Sequence, residues 1–323
     1  MVNTVVFTNP NAKSNVFDKT RVMTIERIVG SNGKVIRTQK AEDLEERISG
    51  LHKLNPESIT VDGGDGTMLT FFTTFVKHWP KFKEFPPFAI IPGGTWNVMA
   101  RHADISKRKW KEYLTGIIKS RKEDLSLQDI GLIRVRDNEW AETYGFSYGM
   151  GLPITLLEEY YTAKYLKEAK LAAMILHMVG SAMVDGEFYR KFAGKHAVKV
   201  SNGSGIEREA SVLGLMAQSV PSVGLPKSHM FYQATHSERF HVLGAEIDII
   251  ELLIQSPALY LGKMHLLSKL GIIDLQTDHY KIRSEEPFRY HVNGDMSYLG
   301  KGLVANEVTL EHGKRIDVIK YLG

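Results

Sequence analysis

The stretch Val61-Asp62-Gly63-Gly64-Asp65-Gly66-Thr67 constrains this chain more than any other. It follows Ser58-Ile59-Thr60-Val61, which reads as a short buried strand. It precedes Met68-Leu69-Thr70-Phe71-Phe72, which reads as the start of a helix. A strand, a glycine loop and a helix in that order are suited to hold a phosphate chain. Glycine has no Cβ, so the backbone can approach a ligand and adopt positive φ. Free N–H groups of the loop and helix start then face an anion, with the positive end of the helix dipole behind them. Asp65 is the odd residue in such a site. A carboxylate repels phosphate unless a metal ion lies between them or unless it orients a nucleophile. Asp65 therefore argues for chemistry as well as binding. The bland alternative is a Gly-rich turn with Asp as turn former. Three glycines, an Asp and a Thr between strand and helix weigh against it.

Around this stretch the first third alternates strand and helix. Thr4-Val5-Val6-Phe7 predicts a strand broken at Asn9-Pro10-Asn11, and Lys34-Val35-Ile36-Arg37 a second. Ala41 to Leu54 carries Leu44, Ile48 and Leu51 at helical spacing with acidic residues early. Thr67 to Val76 predicts the next helix, Phe88-Ala89-Ile90-Ile91 a strand, and Thr95 to Arg101 the start of a helix after Pro92-Gly93-Gly94. Such alternation predicts a parallel, doubly wound α/β sheet, whose ligands bind beyond the carboxyl ends of the strands. Asn9-Pro10, Thr38, Gly63 to Thr67 and Gly93 to Thr95 all sit at such ends. Asp62 reads as a loop residue beside the site.

Trp110 to Lys119 predicts a helix after the basic run Lys107-Arg108-Lys109, which reads as a solvated face. From about Leu125 the texture changes. Strands are expected at Ile130 to Val135, Ala197 to Val200, Val212 to Ala217, Ile247 to Leu253, Tyr280 to Ile282, Phe288 to Val292, Glu307 to Leu310 and Ile316 to Ile319. Helices are expected at Pro153 to Val184 and Pro257 to Leu270. This predicts a mainly antiparallel, β-sandwich-like second domain.

At 323 residues two domains are expected. The chain lacks cysteine, which excludes disulfides, a thiol nucleophile and Cys-ligated zinc. A net charge of +4 is too mild for a nucleic-acid binder, yet suits contact with an anionic membrane surface. The N-terminus shows no signal-peptide pattern. The apolar stretch Leu171 to Val184 is too short to span a bilayer. The 12 histidines show no metal-ligand spacing, and His229, His236 and His241 read as a chance cluster. Met174, Met178 and Met183 read as core rather than as a lipid groove.

Asn9-Pro10, Gly63-Gly64-Asp65-Gly66-Thr67, Ile91-Pro92-Gly93-Gly94-Thr95-x-Asn97 and Val292-Asn293-Gly294-Asp295 stand in the order and rough spacing of one family. The chain resembles the diacylglycerol kinase catalytic-domain family, which includes bacterial lipid kinases and the sphingosine and ceramide kinases. Phe146-Ser147-Tyr148-Gly149-Met150-Gly151 resembles the glycine-bearing segment near the start of that family's second domain. The resemblance implies an ATP-dependent kinase acting on a lipid hydroxyl, with the active site in the cleft between two domains. It implies a nucleotide-binding domain at 1–125, rejoined by a segment at about 312–323, and a lipid-substrate domain at 126–311. By matching position, Asn9, Pro10, Asn11, Ala12, Lys13, Thr38, Gly63, Gly64, Asp65, Gly66, Thr67, Met68, Leu69, Gly94, Thr95 and Asn97 would line the nucleotide. Asn293, Gly149 and Gly151 would lie on the substrate side. ATP and Mg²⁺ are the implied cofactors, since phosphoryl transfer needs mainly positioning and charge neutralisation.

Two departures matter. The family's late motif is usually Asp-Gly-Glu, its Asp the proposed base; here it is Asn293-Gly294-Asp295, and Asn cannot accept that proton. Asp295 is therefore the expected carboxylate, partnered by Asp65. Val98 stands where many diacylglycerol kinases carry Asp, a resemblance to sphingosine and ceramide kinases. No structural metal site is assigned in Gln233 to Ile250. The expected acceptor is a sphingoid base, ceramide or diacylglycerol, reached by a cytoplasmic enzyme docking transiently on a membrane; a homodimer is left open. The alternatives are a soluble-metabolite kinase similar to NAD kinases and a non-catalytic nucleotide- or lipid-binding relative.

Overall fold

The computed structural model describes residues 3–38, 41–95, 97–106, 108–120, 122–162, 177, 181, 186–203, 205–221, 223, 228–263, 271–298 and 300–320. Most of the expected helix to Val184, its methionines, and Met264 to Leu270 lie outside these residues.

The N-terminal domain is a parallel sheet in the order β2 (Gly33–Arg37), β1 (Thr4–Thr8), β3 (Ser58–Gly63), β4 (Phe88–Pro92). Thr8 lies beside Asp62 and Gly63 beside Pro92, so the loops leaving these strands share one end of the sheet. Helices cover both faces. α3 (Ala41–Leu51) and α4 (Asp65–His78) pack on one face through Leu44, Ile48, Phe71, Phe72 and Phe75. Burying each such phenylalanine contributes about 1.5–3 kcal/mol, which fixes the face α4 turns to the sheet. α2 (Arg21–Val29) and α6 (Trp110–Lys119) cover the other face through Ile25, Val29, Leu114 and Ile118. α2, preceded by the short α1 (Lys13–Phe17), fills a span to which the sequence reading gave no element.

The rest is mainly antiparallel. β5 (Leu127–Asp137), β6 (Glu142–Gly145), β7 (Ser147–Gly151), β8 (His196–Asn202), β9 (Glu207–Val212), β10 (Gly214–Gln218), β11 (Phe240–Ala245) and β12 (Ile272–Thr277) precede the long β13 (His279–Val292). The short pair β14 (Ser297–Tyr298) and β15 (Lys301–Gly302) leads to β16 (Val304–Ile319). β13 belongs to two sheets: Tyr280 to Arg283 pair with β8, and Tyr290 to Val292 with β7. Side chains from both enclose a core that includes Tyr148, Val200, Val242 and Leu310. The two segments expected on either side of residue 300 as separate strands are each continuous, and β13 and β16 absorb register shifts rather than breaking. Val318 of β16 lies beside Phe88 of β4.

Ile247 to Leu253, expected as a strand, starts the helix Ile249–Tyr260. A short apolar run carries no period of its own. Extended backbone at Asp248 precedes this helix, and the apolar run continues past Leu253 to helical length.

Candidate active site

The two glycine loops touch backbone to backbone. Gly93 N–H donates to the Gly63 carbonyl at 2.7 Å. A Cβ on Gly64 would lie 2.9 Å from Gly94 Cα, so these glycines serve loop packing as well as ligand approach. Asp65 is the first residue of α4, two residues earlier than the expected helix start. Its carboxylate accepts the amide N–H of Asn97 at 2.7 Å and of Val98 at 2.9 Å, which holds the start of α5 (Val98–His102). Asn97, at φ 50, closes the second loop: its Oδ1 accepts Gly94 N–H and its Nδ2 donates to the Gly94 carbonyl. That left-handed residue is why α5 begins at Val98 rather than Thr95. Asp65 keeps some surface toward the cleft, yet protein encloses it. Burial pushes its carboxyl up to about 6, against the pull of those amides.

Asn9 Nδ2 donates to Thr67 Oγ1 at 3.0 Å, and Asn9 Oδ1 accepts from Asn11 N–H at 2.9 Å. Lys13 Nζ reaches Thr95 Oγ1 at 3.4 Å. Pro10 and Ala12 belong to the same turn, with Ala12 buried. Thr38 sits at the end of the outer strand, its N–H on the Thr8 carbonyl, two strands from Gly63. Met68 and Leu69 depart from expectation. Both are buried, Met68 in the N-terminal core and Leu69 in the core of the antiparallel part, so their side chains pack instead of lining a ligand.

Asp62 also differs from its reading as a loop residue. It is a fully buried residue of β3, and its carboxylate accepts from Thr8 Oγ1 and Asn15 Nδ2, each at 2.8 Å, and from Arg21 Nη2 at 2.7 Å. Arg21 also donates to the Pro92 carbonyl and lies 4.5 Å from the Trp110 ring centroid. This network ties the ends of β1, β3 and β4 together under the glycine loops. The helical spacing of Ile25, Ile28 and Val29 was the signal for α2 and hence for Arg21.

Facing the loops is the tight turn Asn293-Gly294. Asn293 has φ 55 and Gly294 φ 76, the signs a type I′ turn requires, and Asn-Gly is its favoured sequence. Asn293 Oδ1 accepts the amide N–H of Phe146 and Ser147, joining the turn to β7. Position 293 thus serves the turn and its anchoring. Asp295 follows, its Oδ1 held by Ser297 N–H at 3.1 Å. Its Oδ2 lies 2.7 Å from where a Cβ on Gly66 would stand. Burial pushes the Asp295 carboxyl up, opposed by Ser297. Gly149 gives room to the His291 ring, whose Nε2 would lie 2.4 Å from a Cβ there. Gly151, at φ +68, turns β7 into α7 (Leu152–Thr162). His241 pairs with Asp274 at 2.6 Å, and among the described residues no cluster of three or more His, Asp or Glu could hold a metal.

Between loops and turn lies a cleft of about 820 Å³. Gly64, Asp65, Gly66, Gly94, Thr95 and Asp295 line one part; Leu156, Leu157, Tyr160, Met216, Val223 and Met230 line the other. Residues 3–130 match the family model described as the diacylglycerol kinase catalytic domain.

Over residues 3–130 the chain is similar to a diacylglycerol kinase catalytic domain.

Solved structures share the fold over nearly the whole chain. A diacylglycerol kinase from Bacillus anthracis str. Sterne is 14% identical with a TM-score of 0.64, covering 99% of this chain and 97% of its own. A proposed diacylglycerol kinase from the same strain is 17% identical with a TM-score of 0.67, with the same coverage. At these identities the likeness is one of fold. Comparison with curated proteins finds no match.

The residues of the N-terminal domain fit a nucleotide. The first turn of α4 presents unpaired N–H groups, the glycines leave its approach open, and Lys13 reaches the same loops. Mg²⁺ would enter with the phosphates, since Asp65's oxygens already hold amides and Asp295 Oδ2 faces the α4 start. A metal there would depend on phosphate oxygens to complete its shell.

Proposed function

We propose that this chain is an ATP-dependent lipid kinase that transfers the γ-phosphoryl group of ATP to the hydroxyl of a lipid alcohol. One observation carries the reading: a single cleft joins the glycine loops and Asp295 to walls of Leu156, Leu157, Met216 and Met230. Phosphates suit one end and an acyl chain the other. The amides of Gly66 and Thr67 hold phosphate, Lys13 offsets its charge, and Mg²⁺ bound with ATP neutralises the rest. The acceptor oxygen bonds to the γ-phosphorus, the bond to ADP breaks, and Asp295 Oδ2 takes the hydroxyl proton. A carboxylate with a raised pKa suits that role.

Docking on a membrane gives the lipid access. The helix Ile249–Tyr260 exposes Ile250 and Ile254, with Leu261 just beyond, while its inner side shares a core with Leu156, Met216 and Met230. Among the described residues no helix is long and apolar enough to cross a membrane. ADP release in the presence of Mg-ATP, with lipid alcohols in mixed micelles and with NAD as the soluble acceptor, tests the reading. ADP release dependent on lipid supports it, and release dependent only on NAD replaces it with the soluble-kinase alternative.

A further inference from the structure

Asp295 is carried on a short hairpin that has a hold of its own on the N-terminal domain. Asp295 and Val292 exchange backbone hydrogen bonds, Leu303 N–H donates to the Met296 carbonyl, and β14 pairs with β15 at Ser297–Gly302 and Tyr298–Lys301. Tyr298 of this hairpin is 7% exposed. The Thr74 side chain of α4 hydrogen-bonds its hydroxyl, and Lys77 Nζ, also of α4, stands 5.9 Å from its ring centroid. Trp140, from the turn between β5 and β6, stacks on the same ring at 9° with 6.3 Å between centroids.

The spacing of these contacts is informative. Gly66, Thr74 and Lys77 fall within about 80° of one another around α4, so they share one face. Gly66 meets Asp295, and Thr74 and Lys77 meet Tyr298. Gly66 and Thr74 lie eight residues apart (74 − 66), about 12 Å along a helix. Asp295 and Tyr298 lie three apart (298 − 295), about 10 Å of extended chain. The two spans match, so residues 295–298 run along α4 and touch it at both ends. α4 grips the second domain on the same stretch. Thr73 Oγ1 accepts Tyr144 N–H at 2.9 Å, and Lys77 Nζ donates to the Glu142 carbonyl at 2.7 Å.

Asp295 has no such hold through its own side chain. Among the described residues its carboxylate accepts only from Ser297, through the N–H and the hydroxyl, both within the hairpin. Those bonds set the direction of the carboxylate and leave its distance from α4 open. Gly66 gives Oδ2 room rather than a bond. Asn293 anchors the preceding turn to Phe146 and Ser147, which belong to the second domain. The contact that ties the hairpin to α4 is therefore Tyr298.

We propose that Tyr298 is a positioning residue for phosphoryl transfer: its seat on Thr74 and Lys77, closed by Trp140, sets the distance of Asp295 from the start of α4. This rests on the lipid-kinase reading, with Asp295 as the carboxylate that takes the proton. The test measures kcat and KM for ATP with whichever of a sphingoid base, a ceramide or a diacylglycerol the parent phosphorylates fastest in micelles. It compares the parent, Tyr298→Phe, Tyr298→Leu, Asp295→Asn and the double variant of the last two. Tyr298→Leu is expected to lower kcat about 10²-fold with KM for ATP unchanged, the effect of misplacing a reacting group by about 1 Å. Tyr298→Phe keeps the ring and is expected to stay within about tenfold of the parent. In the Asp295→Asn background, Tyr298→Leu is expected to cost less than about twofold, because a residue that acts through the carboxylate then has nothing left to place. A loss that multiplies in full in the double variant, or a Tyr298→Leu kcat within about twofold of the parent, overturns the proposal while the kinase reading stands. Thermal unfolding and ATP binding check the fold. If Tyr298→Leu does not fold, Trp140→Leu at the exposed turn takes its place in the same comparison, with a loss of about tenfold expected and the same overturning results. If the parent phosphorylates no lipid, the kinase reading fails, and hydrogen exchange decides the seat alone. Faster exchange of the Asp295, Ser297 and Leu303 amides in Tyr298→Leu, with β7 unchanged, supports it, and unchanged exchange overturns it.

Discussion

Asp295 stands over Gly66, its Oδ2 2.7 Å from the place a Cβ would take. Only glycine at the second residue of α4 lets that carboxylate reach the helix start. The two residues lie 229 positions apart in the chain (295 − 66), so the contact closes the cleft between its two sides. Gly66→Ala is expected to push Asp295 aside and lower kcat by about 10²-fold, because misplacing a reacting group by about 1 Å has that effect. The fold should hold, since the displaced atom ends a side chain. A kcat within a factor of two of the parent, measured with saturating ATP and lipid, contradicts the placement.

Arg21 and Asp62 form a buried pair at 2.7 Å under the glycine loops. Removing one partner leaves the other charge buried. Arg21→Ala is expected to lose about 3–5 kcal/mol of stability, read from urea unfolding midpoints. A loss below about 1 kcal/mol, the value of an exposed pair, shows the network carries no such weight.

Asp65 gives a pH signature. Its folded carboxyl lies at about 6, above its ordinary 3.8. The folded state therefore holds this proton more tightly, and the stability the group contributes is full below 3.8 and lost as pH rises through about 6. Activity should run the opposite way, since the ionised form holds the Asn97 and Val98 amides with both oxygens. Asp65→Asn removes the titration. Melting temperature and kcat/KM followed from acid to neutral pH should change more steeply in the parent than in the variant; parallel curves refute the assignment.

The sequence carried the glycine loops because their chemistry is local. Strand, glycines and helix start are contiguous, and the three early motifs fall within residues 3–130, which match the diacylglycerol kinase catalytic-domain model. What it hid depends on partners far along the chain. Asp62 read as a loop residue because Arg21, 41 positions away, and Asn15 complete its shell. Asn293 read as a lost base, whereas its positive φ and the Phe146 and Ser147 amides show a turn residue with its own duty. Ile247 to Leu253 looked like a strand because a short apolar run does not reveal its period.

Membrane docking has its own variant. On the proposed docking, Ile254, 75% exposed, would enter the lipid interface. Ile254→Asp should weaken sedimentation with anionic vesicles about tenfold or more, and binding of the parent should fall with added salt. Binding that ignores both the substitution and salt places the contact elsewhere.

The most direct measurement follows the phosphoryl group itself. The protein, Mg²⁺ and γ-labelled ATP are mixed with lipid alcohols in micelles, and label is counted in the organic phase for the parent and Asp295→Asn. The expected result is label in lipid for the parent and about 10²–10⁴-fold less for Asp295→Asn, with ATP binding unchanged between them. Label that never enters lipid, or that enters it equally with Asp295→Asn, contradicts the account.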